Sequence, residues 1–224
     1  MGARSPRRCG ARRLTSDLDP LPRSFYQRDA LVLARALVGA RIVVKTPHDR
    51  RDDASKRAGG ARVRIGRIVE TEAYRGPKDL ACHARAGLTK RTKTLYGPPG
   101  HVYVFLIYGM YDCFNVVCFG KGNGHAVLVR AVEPISGIAE GTRTDGPGRL
   151  TRALGITRAH DATDLVAGKE IVIAPRLGRP KIAVTARVGV GYAGEWADEP
   201  WRFYDAASRA VSRPAARTIG RVRT

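Results

Sequence analysis

Residues 101–119, HVYVFLIYGMYDCFNVVCF, contain the pattern that decides the fold. The first seven residues alternate aromatic and aliphatic side chains, which is typical of a half-buried β-strand. YGMY predicts a turn, and DCFNVVCF predicts the strand that returns. The stretch is therefore interpreted as a β-hairpin, because its connection is too short for the helical crossover that a parallel pair needs.

The flanking segments extend this antiparallel arrangement. Upstream, ARIVVK and RVRIGRIVETEAY predict strands, and ALVLARALV between Asp29 and Gly39 repeats apolar residues at helical spacing. Downstream, HAVLVRAVEP, KEIVIAP and KIAVTARVGV predict strands, while GPGRLTRALG predicts a short helix. A further short helix is expected in GPKDLACHARAG, and GEWADEPWRFY is expected to pack the end of the domain. The sum is an α+β fold rich in antiparallel strands.

Three segments are expected to lie outside the folded core. Residues 1–24 form a basic arm with little apolar periodicity, and residues 213–224 form a basic tail. Residues 46–62 are polar, contain a Gly pair and read as a loop inserted between two strands. One domain is therefore predicted over residues 25–212, and 224 residues suit a single domain with a sizeable core.

The charge balance indicates a polyanionic partner. The chain has 40 Lys and Arg against 20 Asp and Glu, a net charge of +20. No apolar run reaches the roughly 18 to 20 residues of a membrane-spanning helix, and no secretory signal follows the basic start, so an intracellular protein is expected. The four cysteines show neither a disulfide framework nor a zinc pattern. Neither a metal nor another cofactor is predicted.

Two of the scarce carboxylates stand two positions apart in IVETEAY, residues 68–74. Alternate side chains of a strand share a face, so Glu70, Glu72 and Tyr74 are expected to point together. Two like charges resist joint burial, so one glutamate is expected to be satisfied by an arginine or backbone donors while the other faces a cavity. The residues do not decide which is which, and a purely structural pairing of both with surplus arginines also fits.

Aromatic side chains accompany these acids. Four of them can line a slot if the loop after the strand comes to lie over the sheet: Tyr74, His83, Tyr103 and Phe105. Such a slot suits a flat, electron-poor heterocycle, although each ring alone is also explained by core packing. Tyr108 differs, because a ring at the hairpin tip has little core to join. On a basic protein it suits a wedge inserted between DNA bases.

Five blocks in the same order carry a resemblance: GRIVETEAYRGPKDLACHARAG, HVYVFLIYGMYDCFNVVC, HAVLVRAVEP, GPGRLTRALGI and ARVGVGYAGEWADEPWRFY. Together they resemble the alkyladenine (3-methyladenine) DNA glycosylases, the mammalian-type enzymes that also occur in bacteria. The resemblance implies a compact single domain with a curved antiparallel sheet, surrounding helices and a protruding β-hairpin. It also implies a monomer without metal or cofactor that acts on double-stranded DNA containing damaged purines, in the bacterial cytoplasm at the nucleoid.

The resemblance further implies a reaction. The family flips alkylated or deaminated purines of the 3-methyladenine, 7-methylguanine, hypoxanthine and ethenoadenine class out of the duplex, and hydrolyses the N-glycosidic bond. Glu72 matches the acid that activates water, which fits the need for a carboxylate beside an oxocarbenium-like sugar. The motif places no lysine in the pocket. We therefore expect a monofunctional enzyme that leaves an abasic site without Schiff-base strand cleavage.

Six further positions match the family's site. Tyr74 and His83 match residues that stack on and hydrogen-bond the extruded base, and Tyr108 matches the hairpin residue that fills the gap. Asn115 and Arg130 match positions that border the pocket and organise its DNA contacts. Phe105 stands where mammalian members have a second pocket tyrosine. Stacking is expected to survive there, but the hydroxyl contact is lost.

Two other functional classes fit parts of the sequence. A basic nucleic-acid-binding module without activity needs only Lys and Arg for phosphate contacts, and such a protein should tolerate Glu72→Gln. A hydrolase of free nucleosides or RNA would not use the hairpin wedge, so Tyr108→Ala should leave its turnover unchanged.

Overall fold

One curved antiparallel sheet organises the computed structural model, which describes residues 18–46 and 62–212. The strand order is β3-β4-β5-β2-β1-β6, with β8 attached to β2 and β7 attached to β8. In chain order the strands are β1 Arg41–Thr46, β2 Arg62–Arg75, β3 Val102–Ile107, β4 Tyr111–Cys118, β5 His125–Ser136, β6 Ile171–Ala174, β7 Ile182–Thr185 and β8 Arg202–Asp205. The predicted α+β class with a protruding β3–β4 hairpin is confirmed.

The described chain contains three short α-helices: α1 Arg23–Tyr26, α2 Ala30–Leu37 and α3 Pro147–Leu154. Helix α2 begins as predicted, because the side chain of Asp29 accepts a hydrogen bond from the Leu31 backbone at 2.9 Å. Its apolar residues pack in the main hydrophobic core together with those of α3. Helices α2 and α3 thus pack against the sheet.

Strand β2 lies at the centre of the sheet, and the alternation of its side chains between the two faces of the sheet is interrupted along its length. Its first half pairs with β1, its second half pairs with β8, and β5 runs along its other edge. Register shifts next to Glu70 mark a β-bulge. Ile68 and Ala73 therefore both lie in the main core, although an odd separation puts residues of a regular strand on opposite faces. Thr71 shares that face, because its hydroxyl donates to the Ala34 carbonyl of α2.

The structure corrects two local predictions and extends a third. The strand predicted over residues 181–190 ends at Thr185, because the next residues leave the sheet to bond with side chains of neighbouring segments. GPKDLACHARAG forms two 3₁₀ turns, Gly76–Lys78 and His83–Ala86, instead of a helix. GEWADEPWRFY contributes strand β8 besides its packing role.

The predicted segment boundaries fall partly outside the described residues. Residues 1–17 of the arm, 47–61 of the inserted loop and the tail from 213 to 224 lie there, so those predictions stay predictions. Residues 18–24 are held by the domain, because the Leu21 backbone donates to the Ile173 carbonyl at 2.9 Å and helix α1 follows. Among the described residues, no helix is both long and apolar enough to cross a membrane.

Candidate active site

A cavity of about 1090 Å³ opens between the β3–β4 hairpin, helix α3 and the loops after β2 and β7. Pockets for small molecules usually measure about 300 to 1,000 Å³. Six of the seven predicted site residues line it: Tyr74, His83, Phe105, Tyr108, Asn115 and Arg130. The seventh, Glu72, lies directly behind the wall, because the three groups that contact its carboxylate all belong to residues lining the cavity.

Glu70 is the structural member of the glutamate pair. It is fully buried, and its carboxylate accepts from the Nε atoms of Arg130 at 3.0 Å and Arg202 at 2.6 Å. The backbone and the hydroxyl of Ser212 add bonds of 2.6 and 2.8 Å. These four bonds leave the carboxylate little capacity for a ligand. The expectation that one acid is satisfied by arginine and backbone donors is therefore confirmed, and that acid is Glu70.

Glu72 is more sparsely bonded. Its Oε1 accepts from the Val188 backbone at 2.7 Å and lies 3.3 Å from Nη1 of Arg130. Its Oε2 accepts the hydroxyl of Tyr74 at 2.9 Å. The side chain has no exposed surface. Glu72 itself does not line the cavity, but an ionised carboxylate oxygen has about two acceptor positions, and Oε2 uses one of them for the Tyr74 hydroxyl.

Arg130 links the two acids. Its side chain contacts Glu70 through Nε and Glu72 through Nη1, and its Nη2 donates to the Ser212 hydroxyl at 3.3 Å. Burial lowers the pKa of Arg130, but the charges of Glu72 and Glu70 outweigh it and raise the pKa above its usual value. The guanidinium is thus a permanent cation at the wall of the cavity. Its positive charge offsets part of the free-energy cost of burying the two carboxylates.

Three rings stand close together on one side of the cavity. His83 contacts Phe105 edge-on, with ring centroids 4.3 Å apart, and Tyr103 lies 5.5 Å from Phe105. His83 Nδ1 is 3.2 Å from the Tyr103 hydroxyl. Three of the four predicted rings therefore cluster on one wall, Tyr74 lines the same cavity, and the hydroxyl that contacts the imidazole belongs to Tyr103. Asn115, opposite Tyr103 in the hairpin, is fixed by donating Nδ2 to the carbonyls of Tyr103 and Cys113.

The slot favours neutral groups. Burial, assisted by the charge of Arg91, lowers the pKa of His83 to about 4, so the imidazole is neutral at pH 7. Burial raises the pKa of Tyr103 to about 12. It also raises the pKa of Tyr74 well above its usual value, and the charge and hydrogen bond of Glu72 add to this effect. The rings therefore present stacking surfaces and neutral hydrogen-bonding groups.

A buried ion pair missed by the sequence interpretation holds Tyr74. Arg187 forms two bonds with the Asp79 carboxylate, at 2.6 and 2.9 Å, and its guanidinium stands 4.8 Å from the ring centroids of both Tyr74 and Trp201. Asp79 also accepts from the backbone of Arg75 and Ala81, which fixes the loop that carries the slot histidine. A charged residue inside the apolar run TARVGV is the one signal that could have indicated this role.

Tyr108 occupies the tip of the hairpin, as predicted. Its side chain is 82% exposed, and its backbone φ of 53° lies in a region that side-chain-bearing residues rarely adopt. The neighbouring Met110 and Tyr111 are also exposed. The hairpin therefore holds a large ring out into solvent beside the cavity, and strain of this kind is found at functional positions.

Comparisons with known proteins identify the family of this chain. The family model described as methylpurine-DNA glycosylase (MPG) matches residues 24–209. A protein named "Putative 3-methyladenine DNA glycosylase" from Myxococcus xanthus (strain DK1622) is 53% identical over 195 residues, covering 86% of this chain and 93% of that protein. A protein with the same name from Anaeromyxobacter dehalogenans (strain 2CP-C) is 49% identical, over 87% of this chain and 87% of that protein. Another, from Legionella pneumophila (strain Corby), is 46% identical, over 82% of this chain and 93% of that protein. The chain belongs to the methylpurine-DNA glycosylase family.

Proposed function

We propose that this chain flips alkylated or deaminated purines out of duplex DNA and hydrolyses their N-glycosidic bond with a water activated by Glu72. As a member of its family, the chain is a DNA N-glycosylase, a hydrolase of base-excision repair. The finer proposal covers the class of 3-methyladenine, 7-methylguanine, hypoxanthine and ethenoadenine. One observation carries it: a sparsely bonded carboxylate directly behind the wall of a cavity lined with aromatic rings.

The hydrolysis needs one base and one electrostatic partner. Glu72 accepts a proton from water as the water oxygen forms a bond with C1′, while the electrons of the N-glycosidic bond leave with the purine. Its negative charge stabilises the positive charge that develops on the sugar. Arg130 and the Val188 backbone hold Oε1 in place, so that Oε2 is the atom proposed to contact the water.

Selectivity is proposed to come from stacking and from neutral partners. The rings of Tyr74, His83 and Phe105 offer faces and edges to an extruded purine. A base that already carries positive charge leaves readily, whereas a normal purine leaves poorly and gains little from stacking alone. Asn115, held by two carbonyls, is proposed to border the base and to disfavour the guanine amino group.

Tyr108 is proposed to fill the space that the extruded nucleotide leaves in the duplex. Its exposure and its position at the tip of the β3–β4 hairpin suit a ring that inserts between base pairs. Unstacking a base requires a few kcal/mol, and the inserted ring recovers part of that free energy. The action on duplex DNA rather than on free nucleosides rests on this residue.

The reaction is proposed to stop at the abasic site. Among the described residues no lysine lines the cavity, and a Schiff base with the sugar requires an amine. High-yield trapping of a covalent protein–DNA adduct by borohydride would contradict this part. The protein is proposed to act as a monomer, as the family resemblance implies.

The test is incubation of the purified protein with duplex oligonucleotides that carry one hypoxanthine or one ethenoadenine, followed by alkaline cleavage at abasic sites. Strand scission at the lesion position is expected with the wild type and not with Glu72→Gln. The same duplex with a normal adenine is the substrate control. Tight binding of lesion DNA without base release by the wild type would refute the proposal and favour a binding module.

A further inference from the structure

The cavity is larger than the proposed extruded base requires, and its excess volume is lined by arginine. The lining residues include six arginines and one carboxylate, that of Asp145. Arg130 is engaged by the two glutamates, and Asp145 pairs with Arg143 and Arg149. Cations in this number exceed what the local acids neutralise, so the cavity favours an anionic ligand.

Four of these arginines follow helix α3. We call Arg62, Arg64, Arg149 and Arg152 the arginine wall. Arg149 and Arg152 are three residues apart and share one side of the helix. Arg64 donates Nη1 to the Leu154 carbonyl at 3.1 Å, at the end of the helix, and Arg62 lies two positions earlier on the same face of β2. The wall therefore runs from helix α3 to the start of β2.

The wall concentrates like charges, and of its four members only Arg149 pairs with a carboxylate of the described residues, that of Asp145. Within residues 18–46 and 62–212, Arg62 and Arg152 form no ion pair with a carboxylate, and both are exposed. Burial, with the charge of Arg62, lowers the pKa of Arg64. Repulsion of this kind disfavours the arrangement in the free protein, and a bound polyanion relieves it.

The dimensions match a stretch of DNA backbone. Helix α3 has eight residues, which at about 1.5 Å each gives a length of about 12 Å. The phosphates of one strand are spaced about 3.4 Å along the duplex axis, so the helix spans about three of them. Its first turn adjoins the hairpin, because a Cβ added at Gly148 would lie 2.7 Å from the Tyr111 ring. The wall thus starts beside the hairpin and leads away from it.

On these observations, and resting on the proposed function, we propose that the arginine wall is a phosphate track that holds about three consecutive phosphates of one DNA strand on one side of the extruded nucleotide. Phosphate contacts fix the register of a protein on the duplex without reading its sequence. The track therefore places the lesion over the cavity, while the rings and Glu72 discriminate and react.

The first test is the salt dependence of DNA binding. Affinity for a duplex with one hypoxanthine is measured over a range of salt concentrations in the Glu72→Gln background, so that the substrate stays intact. Each lost phosphate contact reduces the slope of log K against log salt by about 0.9, so Arg62→Gln with Arg152→Gln is expected to reduce it by about 1.8. The matched control is Arg35→Gln with Arg179→Gln, two exposed arginines that do not line the cavity. Equal slope changes in the two double variants would overturn the track.

The second test locates the track on the strand. Three neutral methylphosphonate linkages are placed either 5′ or 3′ to the lesion, and binding is compared between the Glu72→Gln protein and the same protein carrying Arg62→Gln and Arg152→Gln. Loss of affinity is expected on one side only, and it should be smaller in the protein without the two arginines. Equal losses on both sides, or the same loss in both proteins, would refute the proposal. Failure of the proposed function would show separately, as absence of base release by the wild type.

Discussion

Substitution of each glutamate by glutamine is expected to separate stability from catalysis. Glu70→Gln removes the charge that Arg202 and Arg130 share, and Arg202 has no exposed surface. Removing one partner of a buried ion pair costs about 3 to 5 kcal/mol. For a domain of this size, 1 kcal/mol corresponds to about 2 to 4 °C, so the melting temperature should fall by about 6 to 20 °C.

Glu72→Gln should have the opposite effect: a smaller loss of stability and a large loss of the rate of base release. The amide oxygen of glutamine can still accept from the Val188 backbone, and its nitrogen can donate to the Tyr74 hydroxyl oxygen. Arg130 keeps its contact with Glu70. Arg130 loses only its longer contact, at 3.3 Å, so the expected loss of stability is about 1.5 to 3 kcal/mol, the size of one hydrogen bond to a charged group and less than for Glu70→Gln. The rate of base release should fall by about 100- to 10,000-fold, because the general base is lost.

Two measurements separate these effects. Urea denaturation gives the free energy of unfolding, and single-turnover base release from a hypoxanthine duplex, with protein in excess, gives the rate per folded molecule. Glu70→Gln should release base at a rate within about tenfold of the wild type once the folded fraction is taken into account, since the Glu70 carboxylate is already occupied by four hydrogen bonds. A Glu72→Gln protein that is as unstable as Glu70→Gln, or that keeps its rate, would refute the division of roles.

Three further outcomes are expected. Tyr108→Ala should reduce base release from duplex DNA by at least tenfold and affect single-stranded DNA much less, because no stack has to be refilled there; equal losses on both substrates would exclude the wedge. Because the pKa of folded His83 is about 4, below its usual 6.5, the stability that neutral His83 contributes is full above pH 6.5 and is lost as the pH falls toward 4. An NMR titration, assigned with His83→Gln, should give a midpoint near 4, and a midpoint near 6.5 would contradict burial of the ring. Asp79→Asn leaves Arg187 buried without its counter-charge and should lower the free energy of unfolding by about 3 to 5 kcal/mol in urea, whereas a change below 1 kcal/mol would show that the pair is not needed.

The sequence predicted those helices and strands whose formation depends on residues near one another in the chain. The helix after Asp29 could be predicted from one capping side chain and the spacing of its apolar residues. The β3–β4 hairpin could be predicted because both strands and their turn lie within 19 residues. Strand β8 could not, because its place beside β2 depends on long-range pairing with Glu70–Glu72, and nothing in WRFY specifies that partner.

The sequence predicted which residues lie at the cavity, but not the hydrogen bonds and ion pairs that connect them. Alternation along β2 placed Glu70 and Glu72 on one side, but the bulge beside Glu70 and the donors from residues 188 and 212 are contributed by distant segments. The resemblance identified the side chains that border the cavity, since those are carried by contiguous blocks. It did not identify Arg187, whose effect on Tyr74 depends on stacking between two rings.

The distances to arginine distinguish the two buried glutamates of this basic protein. Glu70 lies 2.6 and 3.0 Å from two guanidinium nitrogens, whereas Glu72 has one such contact, at 3.3 Å. Coulomb attraction falls with distance, so Glu70 is the more fully neutralised of the two. Two buried arginines balance two buried carboxylates, which makes the cluster neutral as a whole and tolerable in the interior. In the proposed mechanism, the less neutralised acid, Glu72, is the one whose charge would stabilise the positive sugar.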